Sequence, residues 1–280
     1  MADKTVAARV HDLNEALTGA GRRAARGLLS NYPLLGLAPV AEFAAGAGVS
    51  SATVVRFVAQ LGFKSYPDFQ RALREELEER SRSPLQRPVL SADAQGFLGA
   101  FLDQSAQRLR DTADLSPAWE FDAVCQRLAE GKGNCYLAGG RFTDFLAGYL
   151  EAHLRLVRPG VRRLDGRPAT RADQLIDVKA GDLAILFDVR RYDASLLETA
   201  TELAQRRAHI VLVTDEWLSP IARHARHVLP CRTETGSTWD ANGALLALSE
   251  AIVARVTELA WPSARRRIGT LEAKPDSAGK

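Results

Sequence analysis

The feature that most constrains this chain is a change of hydrophobic period near Asn134. Before it, apolar residues recur at helical spacing only. After it, short continuous apolar runs alternate with amphipathic stretches: "NCYLA", then Asp144 to Leu156; "VRRL"; "LAILF", then Ser195 to Arg206; "HIVLVTD"; "HVLP"; and a last helix from Ala241 to Leu259. Apolar runs of strand length separated by helical segments predict a parallel sheet covered by helices on both faces. An all-α region is therefore followed by an α/β region, and 280 residues suffice for each to bury a core.

The helical part reads from Val6 to Leu17, then from the Thr18 cap through Leu28 and Leu29, with "SNYPLLGLAP" breaking the pattern. Further helices start at Pro39, run from Ser50 to Leu61, and follow the Ser65 cap through Phe69 and Leu77. The segment "EELEERSRSPLQRPVLSADAQ" is charged, then proline-containing, and reads as a helix tail fraying into a linker. Helical stretches from Ala94 to Thr112 and from Phe121 to Glu130 follow. The expected organisation is a helical domain over 1–82, a linker over 83–93, an α/β domain over 94–262, and a disordered tail over 263–280.

A hydrophobic fraction of 46% and a charged fraction of 25% are ordinary for a globular chain. Three scattered cysteines do not make a disulfide framework, so a reducing compartment is expected. The opening "MADKTVAARVHDLNEAL" does not read as a secretory leader, and no apolar run is long enough to span a bilayer. A cytoplasmic protein with no membrane partner is the expectation.

Within the helical part, "VAEFAAGAGVSSATVVRFVAQLGF" places two short helices around a tight turn at Gly48. Ala44 is small where the helices would cross, and Phe43, Ala47, Val49, Val54 and Phe57 supply a shared core. Ser50 is placed to cap the second helix. This is the helix-turn-helix pattern, whose second helix enters the DNA major groove. Ser50, Ser51, Ala52, Val55, Arg56 and Ala59 face outward on this register. Ser51 and Thr53 suit bases or phosphates, Arg56 a guanine or phosphate, and Val55 a thymine methyl. A hairpin in an ordinary helical bundle is the alternative. From Arg22 to Arg74 seven cations, Lys64 among them, stand against two anions, which fits a polyanionic partner.

The segment "GVSSATVVRFVAQLGFKSYPDFQRAL" resembles the N-terminal domain of RpiR-type bacterial transcriptional regulators, through Ser50, Thr53 to Phe57, Leu61-Gly62-Phe63, Tyr66 and Phe69. The second half, from about Phe121 to Leu259, is similar to a SIS domain, the sugar-isomerase-like fold that such regulators carry. The resemblance implies a parallel-sheet, three-layer SIS-like domain that dimerises and binds a phosphosugar. It implies operator DNA as partner and a homodimer or dimer of dimers, with no cofactor and no enzymatic activity.

The pocket residues depart from the family's pattern. Where its first strand is followed by Gly-x-Gly-x-Ser, this chain reads "AGGRFTDFLA": Gly139 is kept, Arg141 replaces the second glycine, and Thr143 replaces the serine. Gly140 is the remaining source of backbone freedom. Where the third strand is followed by Ser-x-Ser-Gly-x-Thr, Asp188, Arg190, Arg191 and Asp193 stand instead. Three readings remain open. The arginines hold an anion in place of the hydroxyls, the charges pair among themselves, or the loop faces another subunit. The position favours a ligand, because open parallel sheets bind outside the carboxyl ends of their strands. Ser237, in "GSTWDAN", is the best hydroxyl near the last helix. The expected effector is a small anionic metabolite, a sugar phosphate among the candidates. A sugar-phosphate isomerase and a regulator whose SIS-like part only dimerises are the alternatives.

His224, His227 and Cys231 lack a fourth ligand at useful spacing, so no metal site is expected. Glu198 and Glu202 lie one helical turn apart without an evident acid–base partner.

Overall fold

The structure is a computed structural model and describes residues 5–13, 17–81, 96–235 and 237–273. The expected linker over 83–93 lies outside the described residues.

The helical region comprises α1 (Val6–Leu13), α2 (Gly19–Ser30), α3 (Leu34–Leu37), α4 (Val40–Ala47), α5 (Ser51–Gln60) and α6 (Tyr66–Ser81). Thr18 caps α2 through its hydroxyl, which accepts from the Gly21 amide at 3.3 Å. Leu28, Phe43, Val54, Phe57, Phe69 and Leu73 are fully buried together. The Phe43 ring meets Phe57 edge-on at 6.4 Å and stacks with Phe69 at 6.5 Å. Each such side chain withdrawn from water contributes roughly 1.5–3 kcal/mol, so this cluster sets the fold of the region. The buried Glu76 on α6 accepts from the Val6 amide and from the Tyr32 hydroxyl. A carboxylate there also complements the positive end of α1. The Tyr66 hydroxyl donates to the carbonyls of Ala38 (2.8 Å) and Gly36 (3.2 Å), and burial pushes this phenol up to about 12.

Then come α7 (Phe97–Leu115), α8 (Ala118–Ala129), β1 (Cys135–Gly139), α9 (Asp144–Val157), β2 (Val161–Arg163), α10 (Pro168–Leu175), β3 (Leu183–Asp188) and α11 (Ala194–Gln205). They are followed by β4 (His209–Asp215), a 3-10 turn (Pro220–Arg223), β5 (His227–Cys231), α12 (Gly243–Leu259) and α13 (Trp261–Glu272). The sheet order is β2-β1-β3-β4-β5, and β1 pairs in parallel with both β2 and β3. Every residue of β1 and β3 is buried, as a strand covered on both faces requires. The order reverses between β1 and β3. At such a switch point the two loops leaving the strands diverge and open a crevice.

Three features differ from the sequence reading. Helix α3 occupies the stretch read as a break: one turn bracketed by prolines is too short for a periodic signal. Helix α13 occupies most of the stretch read as a disordered tail, and only residues 274–280 of that tail lie outside the described residues. Its pattern is weak because, of its residues, Ala264 alone is classed as buried, while Arg267 donates to the Arg155 carbonyl on α9 at 2.7 Å.

The third concerns boundaries. The chain divides into two compact units, one of residues 1–115 with 214–223 and 230–241, the other of 116–213 with 224–229 and 242–280. Helix α7 and two stretches from the carboxyl side of β4 and β5 thus belong with the helical region. Within that first unit the Thr5 hydroxyl donates to the Glu216 carbonyl at 2.8 Å. The buried Glu216 carboxylate accepts from the amide (3.0 Å) and hydroxyl (3.2 Å) of Thr233.

Candidate functional site: a recognition helix and a strand-end pocket

Helix α4 ends at Gly48, whose φ of 62° and ψ of 41° put it in the left-handed region that closes a helix and suits glycine. The chain then reverses through Val49, and Ser50 opens α5, its hydroxyl accepting from the Thr53 amide at 3.2 Å. Val54, Phe57 and Val58 point into the core. Ser50, Ser51, Ala52, Val55, Arg56 and Ala59 are exposed, Val55 by 51%, and Thr53 is partly exposed beside the Ser50 hydroxyl at 2.9 Å. Lys64 is exposed in the turn that follows. The outward face thus presents hydroxyls, an aliphatic branch and a guanidinium at the N-terminal end of a helix, the groups that read base edges and phosphates.

The second constellation lies at the switch point. Gly139 ends β1 where a Cβ would fall 2.5 Å from the Asp144 backbone, so only glycine lets α9 start this close. Gly140 was expected to supply backbone freedom. Its need is space instead, because a Cβ would stand 3.1 Å from Asp188 Oδ1 and 3.3 Å from Asp193 Cβ. Its amide donates to the Phe187 carbonyl (2.9 Å) and to Thr143 Oγ1 (3.0 Å). The buried Thr143 hydroxyl in turn donates to the Phe187 carbonyl at 2.6 Å, so it faces β3.

Across the crevice, buried Asp188 accepts from the Asp193 amide at 3.2 Å. Asp193 caps α11, its Oδ1 accepting from the amides of Ser195 (2.9 Å) and Leu196 (3.3 Å). Arg190 is buried and Arg191 is exposed with a φ of 69°. A non-glycine residue there is strained by about 1–2 kcal/mol. Arg141 is exposed, its guanidinium 5.1 Å from the centre of the Phe142 ring.

Gly140, Arg141, Phe142, Thr143, Asp188, Val189, Arg190, Arg191 and Asp193 line one cavity of about 230 Å³. The structure therefore brings together seven of the expected ligand residues. Gly139 lies behind the lining, and Ser237 is engaged in its own turn, with Oγ 3.1 Å from the Trp239 amide and 3.3 Å from its carbonyl. Phe142 and Val189 were missed, although Phe142 lies between two residues that were singled out. Asn242, at the start of α12, donates to the Phe142 carbonyl at 3.0 Å.

The sequence pattern of the helix-turn-helix domain of the rpiR family matches residues 4–80, and that of the SIS domain matches residues 128–255. The chain carries an rpiR-family helix-turn-helix domain and a SIS domain. An uncharacterized HTH-type transcriptional regulator in the aarA 3' region of Providencia stuartii is 39% identical over 70 residues, a quarter of each chain. An uncharacterized HTH-type transcriptional regulator of Haemophilus influenzae is 24% identical over 79% of this chain and 77% of its own. Solved structures share the fold. The sugar isomerase domain of an RpiR transcription factor from Sphaerobacter thermophilus superposes with a TM-score of 0.59 at 19% identity, covering 64% of this chain and 99% of that one. The Vibrio vulnificus NanR protein, complexed with ManNAc-6P, superposes with a TM-score of 0.53 at 17% identity, covering 96% and 97%. In architecture the chain joins an rpiR-family helix-turn-helix domain to a SIS domain.

The remaining candidates are used otherwise. His227 pairs with buried Glu120, His224 Nε2 lies 3.2 Å from the Thr201 hydroxyl, and Glu202 pairs with Arg206 at 2.9 Å. Among the described residues no group of three or more His, Cys, Asp or Glu is placed to hold a metal. Burial pushes the Cys125 and Cys135 thiols up to about 12, so neither is a ready nucleophile. No described helix is long and apolar enough to cross a membrane.

Proposed function

We propose that this chain represses or activates transcription by binding operator DNA through α5, and that its SIS domain dimerises and senses a small anionic metabolite. The observation that carries the reading is the exposed Ser50, Ser51, Val55 and Arg56 face at the start of a capped helix. One such helix contacts a single half-site, so a homodimer or dimer of dimers supplies the paired spacing of an operator. Effector binding shifts the population between arrangements that do and do not match that spacing. The partners imply a cytoplasmic location. The ManNAc-6P in complex with a protein of similar fold supports the strand-end pocket as the effector site. Within that pocket no carboxylate stands beside a histidine, which argues against an isomerase.

The test is anisotropy of an operator selected from a random duplex pool. Arg56→Ala weakens specific binding by about 1–3 kcal/mol and lowers the salt slope by about one. Arg190→Ala with Arg191→Ala leaves DNA binding intact and abolishes its response to effector. Unchanged affinity in the first variant removes α5 as the reading helix, a retained response in the second removes this loop as the sensor, and turnover of a phosphosugar establishes the isomerase instead.

A further inference from the structure

We infer that Asp193 sets the effector class: its carboxylate occupies the helix N-terminus that a phosphate would use, so the pocket takes a hydroxylated monocarboxylate, a sugar acid, rather than a sugar phosphate. The inference rests on the strand-end pocket being the effector site.

A phosphate at a helix N-terminus needs backbone amides that point at it without another acceptor. At α11 those of Ser195 and Leu196 already donate to Asp193 Oδ1, and that of Asp193 donates to Asp188 Oδ1. Across the crevice the Gly140 amide is held by Phe187 and Thr143, and the Thr143 hydroxyl by Phe187. Every one of these donors is satisfied from within the chain. A dianion seated here would displace a capping carboxylate and then lie beside a second one, since Asp188 and Asp193 both close on the space over Gly140.

Charge balance points the same way. The lining holds three cations, Arg141, Arg190 and Arg191, and two anions, Asp188 and Asp193, a net of one positive charge. A monoanion neutralises it and a phosphate dianion overshoots it. The guanidinium fork of an arginine matches a planar carboxylate with two parallel hydrogen bonds. Exposed Arg141 and Arg191 stand at the mouth to provide it. Aspartates accept from hydroxyls, so Asp188 and Asp193 suit the polyol part of such a ligand. The left-handed backbone of Arg191 fits this role, because strain persists where a side chain is held for a ligand. The cavity of about 230 Å³ admits one small metabolite, below the roughly 300–1,000 Å³ usual for drug-sized ligands.

The experiment uses the full chain with gluconate and its four- to seven-carbon homologues, glucose 6-phosphate, glucose and inorganic phosphate, followed by thermal shift and calorimetry. The wild type is expected to bind at least one sugar acid about tenfold or more tighter than glucose 6-phosphate. Asp193→Ser, which restores a hydroxyl cap, gains glucose 6-phosphate affinity by about tenfold or more. Asp193→Asn keeps the cap geometry without the charge and moves the preference in the same direction, with circular dichroism melts confirming that both variants fold. Wild-type preference for glucose 6-phosphate, an unchanged preference in both variants, or no binding of any sugar acid overturns the proposal. Anisotropy on the same preparations separates this from the regulator reading, which fails only through loss of DNA binding or of its effector response.

Discussion

Both candidate sites are built on the N-terminus of a helix entered from a tight turn, and they treat it in opposite ways. At α5 a neutral hydroxyl, Ser50, satisfies one amide at 3.2 Å and leaves the helix end positive. At α11 a carboxylate, Asp193, satisfies two amides and brings its own negative charge to the same place. A helix end carries about half a unit of positive charge, so the charge of the capping side chain decides whether an external anion is welcome. The first terminus carries no internal charge against an external anion, and the second is closed from inside. Capping alone, which both achieve, therefore says nothing about anion binding.

The contrast can be broken or sharpened by substitution. The largest effect is expected from removing the support of the open terminus. Phe57→Ala empties a fully buried position against Phe43 and costs about 3–5 kcal/mol. Chemical denaturation should then show an early loss of the helical region together with operator binding, and retained binding would mean that α5 is held by something other than this core. A smaller effect follows from making the open end resemble the closed one. Ser50→Asp keeps a capping acceptor but adds a charge, and is expected to leave the melting temperature within a degree or two while weakening DNA binding by about tenfold, or 1.4 kcal/mol. An affinity equal to wild type would show that the charge of the cap does not matter. The smallest concerns the closed end. Arg191→Gly relieves the left-handed strain of roughly 1–2 kcal/mol but adds freedom to the unfolded chain worth about 0.4–1 kcal/mol. A net gain between zero and about 1.6 kcal/mol should raise the melting temperature by a few degrees at most, with effector response reduced; a destabilised variant would place the Arg191 side chain among the groups that hold the loop.

The fold was legible where local pattern and burial coincide. "LAILF" and "HIVLVTD" read as strands because both faces are covered, and "SNYPLLGLAP" concealed a helix because α3 is a single turn. The outward face of α5 followed from helical period alone, since Val54, Phe57 and Val58 fix which side is buried. The pocket was legible as a place but not as chemistry. The sequence locates Thr143 and Asp193 at strand ends, but the Thr143 hydroxyl turns toward β3 and the Asp193 carboxylate onto its own helix. Those orientations depend on how the turn after β1 meets β3, and the Thr143–Phe187 hydrogen bond joins residues 44 apart in the chain. Helix α13 escaped because half of its residues are polar or charged and Ala264 alone is buried.

The hydrogen bond from Thr5 to the Glu216 carbonyl joins positions 211 residues apart. Anyone preparing the DNA-reading half as a separate fragment would cut in the 83–93 stretch, where the sequence invites it. That cut removes the turn on which the first helix rests, along with the Thr233 clamp that holds the turn in shape. The excised piece would keep its recognition helix and lose one of its anchors, so a weak operator affinity in such a fragment would report on the scissors rather than on the reader.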